Sequence, residues 1–302
     1  MESLEKMNSS KGKDAVKRYH LHKEEPQKLQ FEIHNLNSYL KKTKGHSDKP
    51  HIHSFYQILW FSGGTGKHFV DFNNYDIAGN CIFFIPKGQI HYFDNNEYEG
   101  YIIHFNEEFL ADDENDVNVF LKHNIFNSFE SEPVFRIANQ YIEDFSRLLL
   151  QMQNEMWTPQ QFAHKDYLKL LLNMFLILIQ RLGTRNKCRN LSIHNPHHIV
   201  YVKFRQLLES MYKKIHTVNE YAGLLNISTK TLNNYTKEIS YQTPLEIINE
   251  RIVLEAKRLL SHSGLSVNEI AFHLGFEDPS YFIKFFKRHT NLAPGEFRSS
   301  VI

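Results

Sequence analysis

Few segments of this 302-residue chain have the residue types and spacing that chemistry requires. Gly63-Gly64-Thr65-Gly66-Lys67 looks superficially like a loop that cradles phosphate with backbone N–H groups and a lysine. It lacks the first glycine at the required spacing, and His68 follows it where Ser or Thr is needed. It also lies between two strand-like runs, where a hairpin turn is expected. The acidic run Asp112-Asp113-Glu114-Asn115-Asp116 misses calcium-loop spacing and reads as a solvated loop. Cys81 and Cys188 stand far apart and outside any metal spacing. That usage fits a reducing cytosol rather than a disulfide scaffold. No nucleophile elbow or other catalytic signature is found, so no enzyme activity and no cofactor are expected.

The stronger pattern is a repeat. Thr217-Val218-Asn219-Glu220-Tyr221-Ala222 recurs as Ser266-Val267-Asn268-Glu269-Ile270-Ala271. Each copy opens with a hydroxyl residue followed three positions later by Glu, a capping box that starts a helix. Short turns follow at Asn226-Ile227 and Gly275-Phe276, and Ser228 and Asp278 are placed to cap a second helix in each copy. One face of the first copy carries Val218, Ala222, Leu225, Ile227, Leu232 and Tyr235; the second carries Val267, Ala271, Leu274, Phe276, Phe282 and Phe285. Two helix-turn-helix units result, a motif that lays its second helix in the major groove of DNA. Thr243, Pro244 and Glu246 open a connecting helix over 244–260, with an apolar stripe of Leu245, Ile248, Ile252, Ala256, Leu259 and Leu260.

Residues 201–298 resemble the AraC/XylS family of bacterial transcription regulators. The resemblance rests on Ala271, Leu274-Gly275-Phe276-Glu277-Asp278-Pro279-Ser280-Tyr281-Phe282, Phe285-Phe286-Lys287-Arg288, Ala293-Pro294 and Phe297-Arg298. It implies double-stranded DNA as partner, with Lys230, Thr231, Asn233, Asn234 and Lys237 on the first reading helix. On the second it implies Ser280, Tyr281, Lys284, Lys287 and Arg288. Asn suits bidentate contact with adenine and Lys suits guanine acceptors; Lys237, Lys287 and Arg288 suit phosphates. The chain departs from the family pattern at Thr236, where an aromatic is usual, and at Tyr241 and Asn291, where Gly is usual. Asn tolerates the left-handed conformation; Tyr241 tolerates it less, which suggests a different end for the first reading helix.

Residues 201–302 carry 13 Lys+Arg against 10 Asp+Glu, so any DNA footprint must be local rather than global. The remaining two hundred residues suffice for one further compact domain. Residues 1–27 are polar and charged and read as a flexible tail without a secretory leader. The most apolar run, 168–182, is interrupted by Lys169, Asn173 and Gln180 and is too short to span a bilayer. No membrane association is expected, and the expected location is the cytoplasm.

Residues 28–137 have strand texture. The runs 55–61, 67–72, 81–85 and 100–105 are aromatic and β-branched, with turn clusters at 62–66, 73–74 and 94–96. A β-barrel or double-sheet jelly roll is expected. His51-Ile52-His53, then Gln57, then Pro86-Lys87-Gly88-Gln89-Ile90-His91 resemble the two cupin motifs. In metal-binding cupins two His, a Glu and a later His converge; here Gln57 fills the Glu position, a neutral oxygen poorly suited to a divalent cation. Three roles stand open for His51, His53 and His91: structural hydrogen bonding, lining a ligand pocket, and metal binding. The family resemblance implies a small-molecule effector, which assigns His51, His53, Gln57 and His91 to its pocket and no metal site.

Residues 138–184 turn helical. Tyr141, Phe145, Leu148, Leu149, Met152 and Met156 form one stripe; Tyr167, Leu170, Leu171, Met174, Leu178 and Leu182 form another. The segment 168–182 is apolar on more than one face, which favours two partners for it and a homodimer. Residues 185–198, with Asn195-Pro196 inside, read as a linker to the DNA-binding domain over 199–302. The fold class is therefore α+β with two domains: a cupin-like barrel or jelly roll plus two helices, then an all-α domain with two helix-turn-helix motifs joined by a linker helix. The expected function is effector-controlled transcription regulation, with RNA polymerase contact implied by resemblance and the sign of regulation open. The competing readings are a ligand-independent dimeric regulator and a metal-dependent cupin enzyme fused to a DNA-binding domain.

Overall fold

The computed structural model describes residues 16–25, 27–43, 45–110, 125–126, 133–186 and 195–301. The tail through residue 15, the acidic run Asp112–Asp116, Cys188 and linker residues 187–194 lie outside them. The described residues fall into two compact units, the first over 17–186 and the second over 195–301 together with Val16.

The first unit contains two five-stranded sheets. One has the order β1 (Lys17–Tyr19), β3 (His51–His53), β8 (His91–Phe93), β5 (Gly66–Val70), β6 (Asn73–Ile77). The other has the order β10 (Val134–Arg136), β7 (Cys81–Ile85), β4 (Tyr56–Gly63), β9 (Glu99–Phe105), β2 (Phe31–Asn35). Between β3 and β9 the chain changes sheet at every step except the β5–β6 hairpin. This is a jelly-roll arrangement of two sheets rather than a closed barrel.

Strand alternation explains why β4 and β7 read as continuous apolar runs. Ile58, Trp60, Ile82, Phe84, Ile103 and Phe105 face one way and join the core beneath two helices. Leu59, Phe61, Cys81, Phe83, Ile85 and Ile102 face the other way, between the sheets. A strand buried on both faces loses its polar alternation.

Two turn expectations are corrected. The glycine-rich segment after β4 joins strands of different sheets, so it is a corner and not a hairpin. Asn73-Asn74 begin β6; the hairpin bends two residues earlier, at Asp71-Phe72, with Asp71 at φ 51°. The β5–β6 register pairs Val70 with Asn73 and thus leaves two residues for that turn.

Helices α3 (Ile142–Met156) and α4 (His164–Asn186) follow two short helices, α1 (Leu36–Lys42) and α2 (Glu107–Leu110). Phe145, Leu148, Leu149 and Met152 of α3 are buried, as expected. The face of α4 that joins the core is Leu168, Leu171, Leu172, Phe175, Leu176 and Ile179. The expected stripe is split: Tyr167, Leu170 and Met174 are 42%, 63% and 53% exposed, whereas Leu171 is buried and Leu178 and Leu182 pack against the core. Both faces are apolar, so periodicity alone did not separate them.

The second unit is helical. Helix α5 (Pro196–Met211) starts inside the expected linker: Asn195 is its N-cap and Pro196 its first residue. Then come α6 (Val218–Leu224), α7 (Thr229–Ser240), α8 (Pro244–His262), α9 (Val267–His273), α10 (Pro279–Thr290) and α11 (Pro294–Val301). Thr243–Glu246 and Ser266–Glu269 form complete capping boxes, whereas Thr217 completes only the half that accepts from the Glu220 N–H. Helix α8 buries Ile247, Ile248, Ile252, Val253, Ala256 and Leu260; Leu245, expected in the stripe, is 48% exposed.

Candidate nucleic-acid interface and ligand cavity

Helices α6–α7 and α9–α10 are two copies of one structure. Asn226 and Gly275 make the same left-handed turn at φ 54° and 84°. In both, the next N–H reaches back to the small residue of the first helix: Ile227 to Ala222 and Phe276 to Ala271, each at 3.0 Å. A Cβ at Gly275 would stand 2.1 Å from the Lys213 carbonyl oxygen, so glycine is required there by space as well as by φ. Ser228 caps α7 through the Thr231 N–H, and Asp278 caps α10 through those of Ser280 and Tyr281.

The core sides of α7 and α10 are Leu232, Thr236 and Ile239, and Phe282, Phe285 and Phe286. Thr236, in a position usual for an aromatic, is fully buried and donates its hydroxyl to the Leu232 carbonyl at 3.0 Å. At 100° per residue, the opposite side of α7 carries Lys230, Asn234 and Lys237. The opposite side of α10 carries Ser280, Lys284 and Lys287 at a constant offset of fifty positions. All six are exposed. Thr231 and Asn233 are half-buried at the flanks, while Tyr281 and Arg288 are exposed. The Asn233 amide donates to the Thr229 carbonyl at 3.0 Å, so it must leave its own helix to reach a base. Tyr241 ends α7 in the left-handed conformation, as Asn291 ends α10. The expected difference between the two helix ends is therefore corrected.

Side chains outside the reading faces hold this scaffold. Arg251 of α8 is buried, bonds Glu209 of α5 at 2.9 Å and Glu255 at 3.1 Å, and lies 3.7 Å above the Tyr212 ring. Burial would raise the Glu255 carboxyl pKa; Arg251 and Arg258 overcome this and hold it below the ordinary value. Arg298 donates to the carbonyls of Leu260 at 3.0 Å and Leu265 at 2.6 Å, tying α11 to the end of α8.

In the first unit, His51, His53 and Gln57 line a small cavity with Tyr19, Tyr39, Thr43, His46, Ser47 and Phe93. His91 is fully buried beside them; its ring centroid is 4.3 Å from that of His51 and 5.0 Å from that of His53. One donor atom from each of His51, His53 and His91 lies within 4.8 Å of the others. The His51 Nδ1–H donates to the Lys49 carbonyl at 2.8 Å, which leaves its Nε2 lone pair free. His91 Nδ1 shares a 3.0 Å hydrogen bond with His68 Nε2, and its own Nε2 has no partner. Neither ring nitrogen of His53 has a partner, nor does Gln57 Oε1.

Burial pushes the His51 imidazole down to about 4, and burial likewise holds His53, His68 and His91 well below their ordinary value. The four rings are thus neutral near pH 7. These three histidines fit a divalent ion as nitrogen donors, with neutral Gln57 and no carboxylate beside them. His68, missed in the sequence, orients His91; only its place in the strand run could have pointed to it.

The described residues include no helix long and apolar enough to cross a membrane. Residues 39–163 match the model of an AraC-like ligand binding domain, and residues 221–300 match that of a helix-turn-helix domain. The HTH-type transcriptional activator RhaS of Escherichia coli O157:H7 is 23% identical over 258 residues, covering 82% of this chain and 86% of its own. The protein of that name from Citrobacter koseri is 24% identical over 256 residues, with the same coverage. Among solved structures, ToxT of Vibrio cholerae O395 aligns over 91% of this chain and 99% of its own, with 15% identity and a TM-score of 0.41. The DNA-binding domain of AdpA, solved with a target DNA, aligns over 35% and 92%, with 26% identity and a TM-score of 0.31.

Proposed function

This chain belongs to the AraC family of DNA-binding transcription regulators, and from that premise we propose how its two units divide the work. Helices α7 and α10 enter neighbouring major-groove segments, with Asn234 and Lys284 on base edges and Lys237, Lys287 and Arg288 on phosphates. Lys230, Thr231, Asn233, Ser280 and Tyr281 flank them. The observation that carries this reading is the match of the two exposed faces at one constant offset. Helix α8, at 19 residues about 28 Å long, spaces the two helix-turn-helix copies near one DNA turn. Selection of bound duplexes from a random pool tests it. A two-part consensus with elements about one turn apart supports it; no enrichment of any sequence overturns it.

The first unit senses a small molecule in the cavity lined by His51, His53 and Gln57, with His91 behind them. Its neutral imidazoles and one amide offer hydrogen bonds inside aromatic walls, which suits a small polar effector. The effector acts by binding one arrangement of the protein more tightly than another. The curated relatives are named as activators, and we extend activation, with RNA polymerase as partner, to this chain. The exposed stripe Tyr167, Leu170 and Met174 on α4 supports a homodimer. No catalytic activity is assigned, and the cytoplasm is the proposed location.

A second reading has its own observation. The three convergent histidine nitrogens of His51, His53 and His91 favour a divalent ion as the signal, or as part of it. Metal analysis of the purified chain, repeated with His91→Asn, separates the two. Stoichiometric metal lost in the variant favours the ion, whereas a metal-free protein stabilised by a metabolite favours the organic effector.

A further inference from the structure

Glu32, His34 and His104 belong to neither cupin motif. Strand β2 sends Phe31 and Ile33 toward the core beneath the helices and Glu32 and His34 to the inter-sheet side. Its register with β9 places Glu32 directly opposite His104, and His34 is a diagonal neighbour on the same face. The sheet thus assembles two imidazoles and a carboxylate with one donor atom from each within 4.8 Å of the others.

Each group has the chemistry of a ligand. His104 is 2% exposed, and its Nε2 has no hydrogen-bond partner. An unpaired buried polar atom is costly, and a bound ion would remove that cost. The Glu32 carboxylate accepts from His34 Nε2 at 3.0 Å and lies 3.0 Å from His22 Nε2. Metal–ligand bonds of about 2.0–2.2 Å put the donors of one ion about 3–4 Å apart. The cluster is near that size already.

We propose that Glu32, His34 and His104 bind one divalent first-row transition ion, the two-histidine, one-carboxylate set. Glu32 supplies the negative charge that Gln57 does not supply to the other histidine cluster. His22 orients the carboxylate from behind, the usual role of an outer partner. Tyr39 connects this site to the cavity. Its ring stacks on His34 at 5.7 Å, meets His104 edge-on at 5.3 Å, and also lines the cavity. An ion here fixes one wall of the effector pocket.

The test titrates the chelator-treated full chain with Zn2+ against a competing chromogenic chelator, and with Co2+ followed by visible absorption. Glu32→Gln and His104→Asn are each expected to weaken one site at least tenfold and to remove its Co2+ bands. His53→Asn and His91→Asn are expected to leave that site filled. Far-ultraviolet circular dichroism and DNA retardation check folding; if His104→Asn does not fold, the near-isosteric Glu32→Gln decides. The proposal is overturned if the wild type binds no ion, if Glu32→Gln binds as the wild type does, or if only His53→Asn and His91→Asn abolish binding. Ions held by surface histidines would survive Glu32→Gln and so count against it.

Discussion

Tyr241 and Asn291 close the two reading helices in the same left-handed conformation, at φ 61° and 63°, fifty positions apart. Each N–H bonds the carbonyl four residues back, Lys237 at 3.1 Å and Lys287 at 2.8 Å. A Cβ crowds the following carbonyl oxygen in this conformation; the short polar side chain of Asn offsets that cost by local hydrogen bonding, and the Tyr side chain does not. The repeat imposes its geometry on a residue that resists it. Tyr241→Gly is therefore expected to stabilise the second unit by about 1 kcal/mol, read as a higher denaturation midpoint. An unchanged or lower midpoint contradicts the account of this helix end.

The second unit was largely legible because its signals are local. Ser228, Asp278, Thr243 and Ser266 each announce a helix within three residues, and all four cap as expected. The inner stripe of α4 was not legible, since Leu170 and Leu171 are equally apolar and only tertiary packing chooses between them. Strand β2 was missed for another reason: Phe-Glu-Ile-His-Asn is short and polar, and its partner strand lies some seventy residues away. The Glu32–His34–His104 cluster is a product of that register, so no motif could reveal it. The His51, His53 and His91 convergence was legible through the cupin resemblance.

Arg251 is a buried charge answered by Glu209, Glu255 and the Tyr212 ring. Removing one member of such a group strands the others in a poor dielectric. Arg251→Ala should cost about 3–5 kcal/mol, seen in chemical denaturation of the second unit. Glu209→Gln should cost less, because Glu209 is 44% exposed at its side chain and water can solvate what remains.

The buried histidines set a pH limit on the metal-free first unit. In the unfolded chain they titrate near 6.5, while in the folded unit His51 falls to about 4 and His104 to about 3, in both cases chiefly by burial. Below pH 6.5 the unfolded state takes up protons that the folded state refuses. Stability is therefore full above that value and declines as pH falls toward 4. For His51 alone the gap amounts to roughly 3 kcal/mol. Melting temperatures measured from pH 8 to pH 4.5 in the presence of a chelator should be flat at first and then fall. A flat profile throughout contradicts the buried neutral cluster.

Lys237 and Lys287 sit at equivalent exposed positions and are assigned to phosphates. Replacing each with Ala should weaken DNA binding about equally across sequences and lower the slope of log affinity against log salt by about 1. Fluorescence anisotropy over a salt series reads both quantities. A change in sequence preference without a change in slope would reassign these residues to bases.

The most direct test of the central claim is the base preference of the double variant Asn234→Ala, Lys284→Ala, measured by selection from random DNA beside the wild type. With both reading faces correctly placed, the variant should lose preference at one position in each half of the recognised site. Each loss should be about 1–3 kcal/mol in discrimination, with the salt slope changing less than the preference does. A preference profile identical to that of the wild type would contradict the account, because the outward sides of α7 and α10 would then not be the surfaces that read DNA.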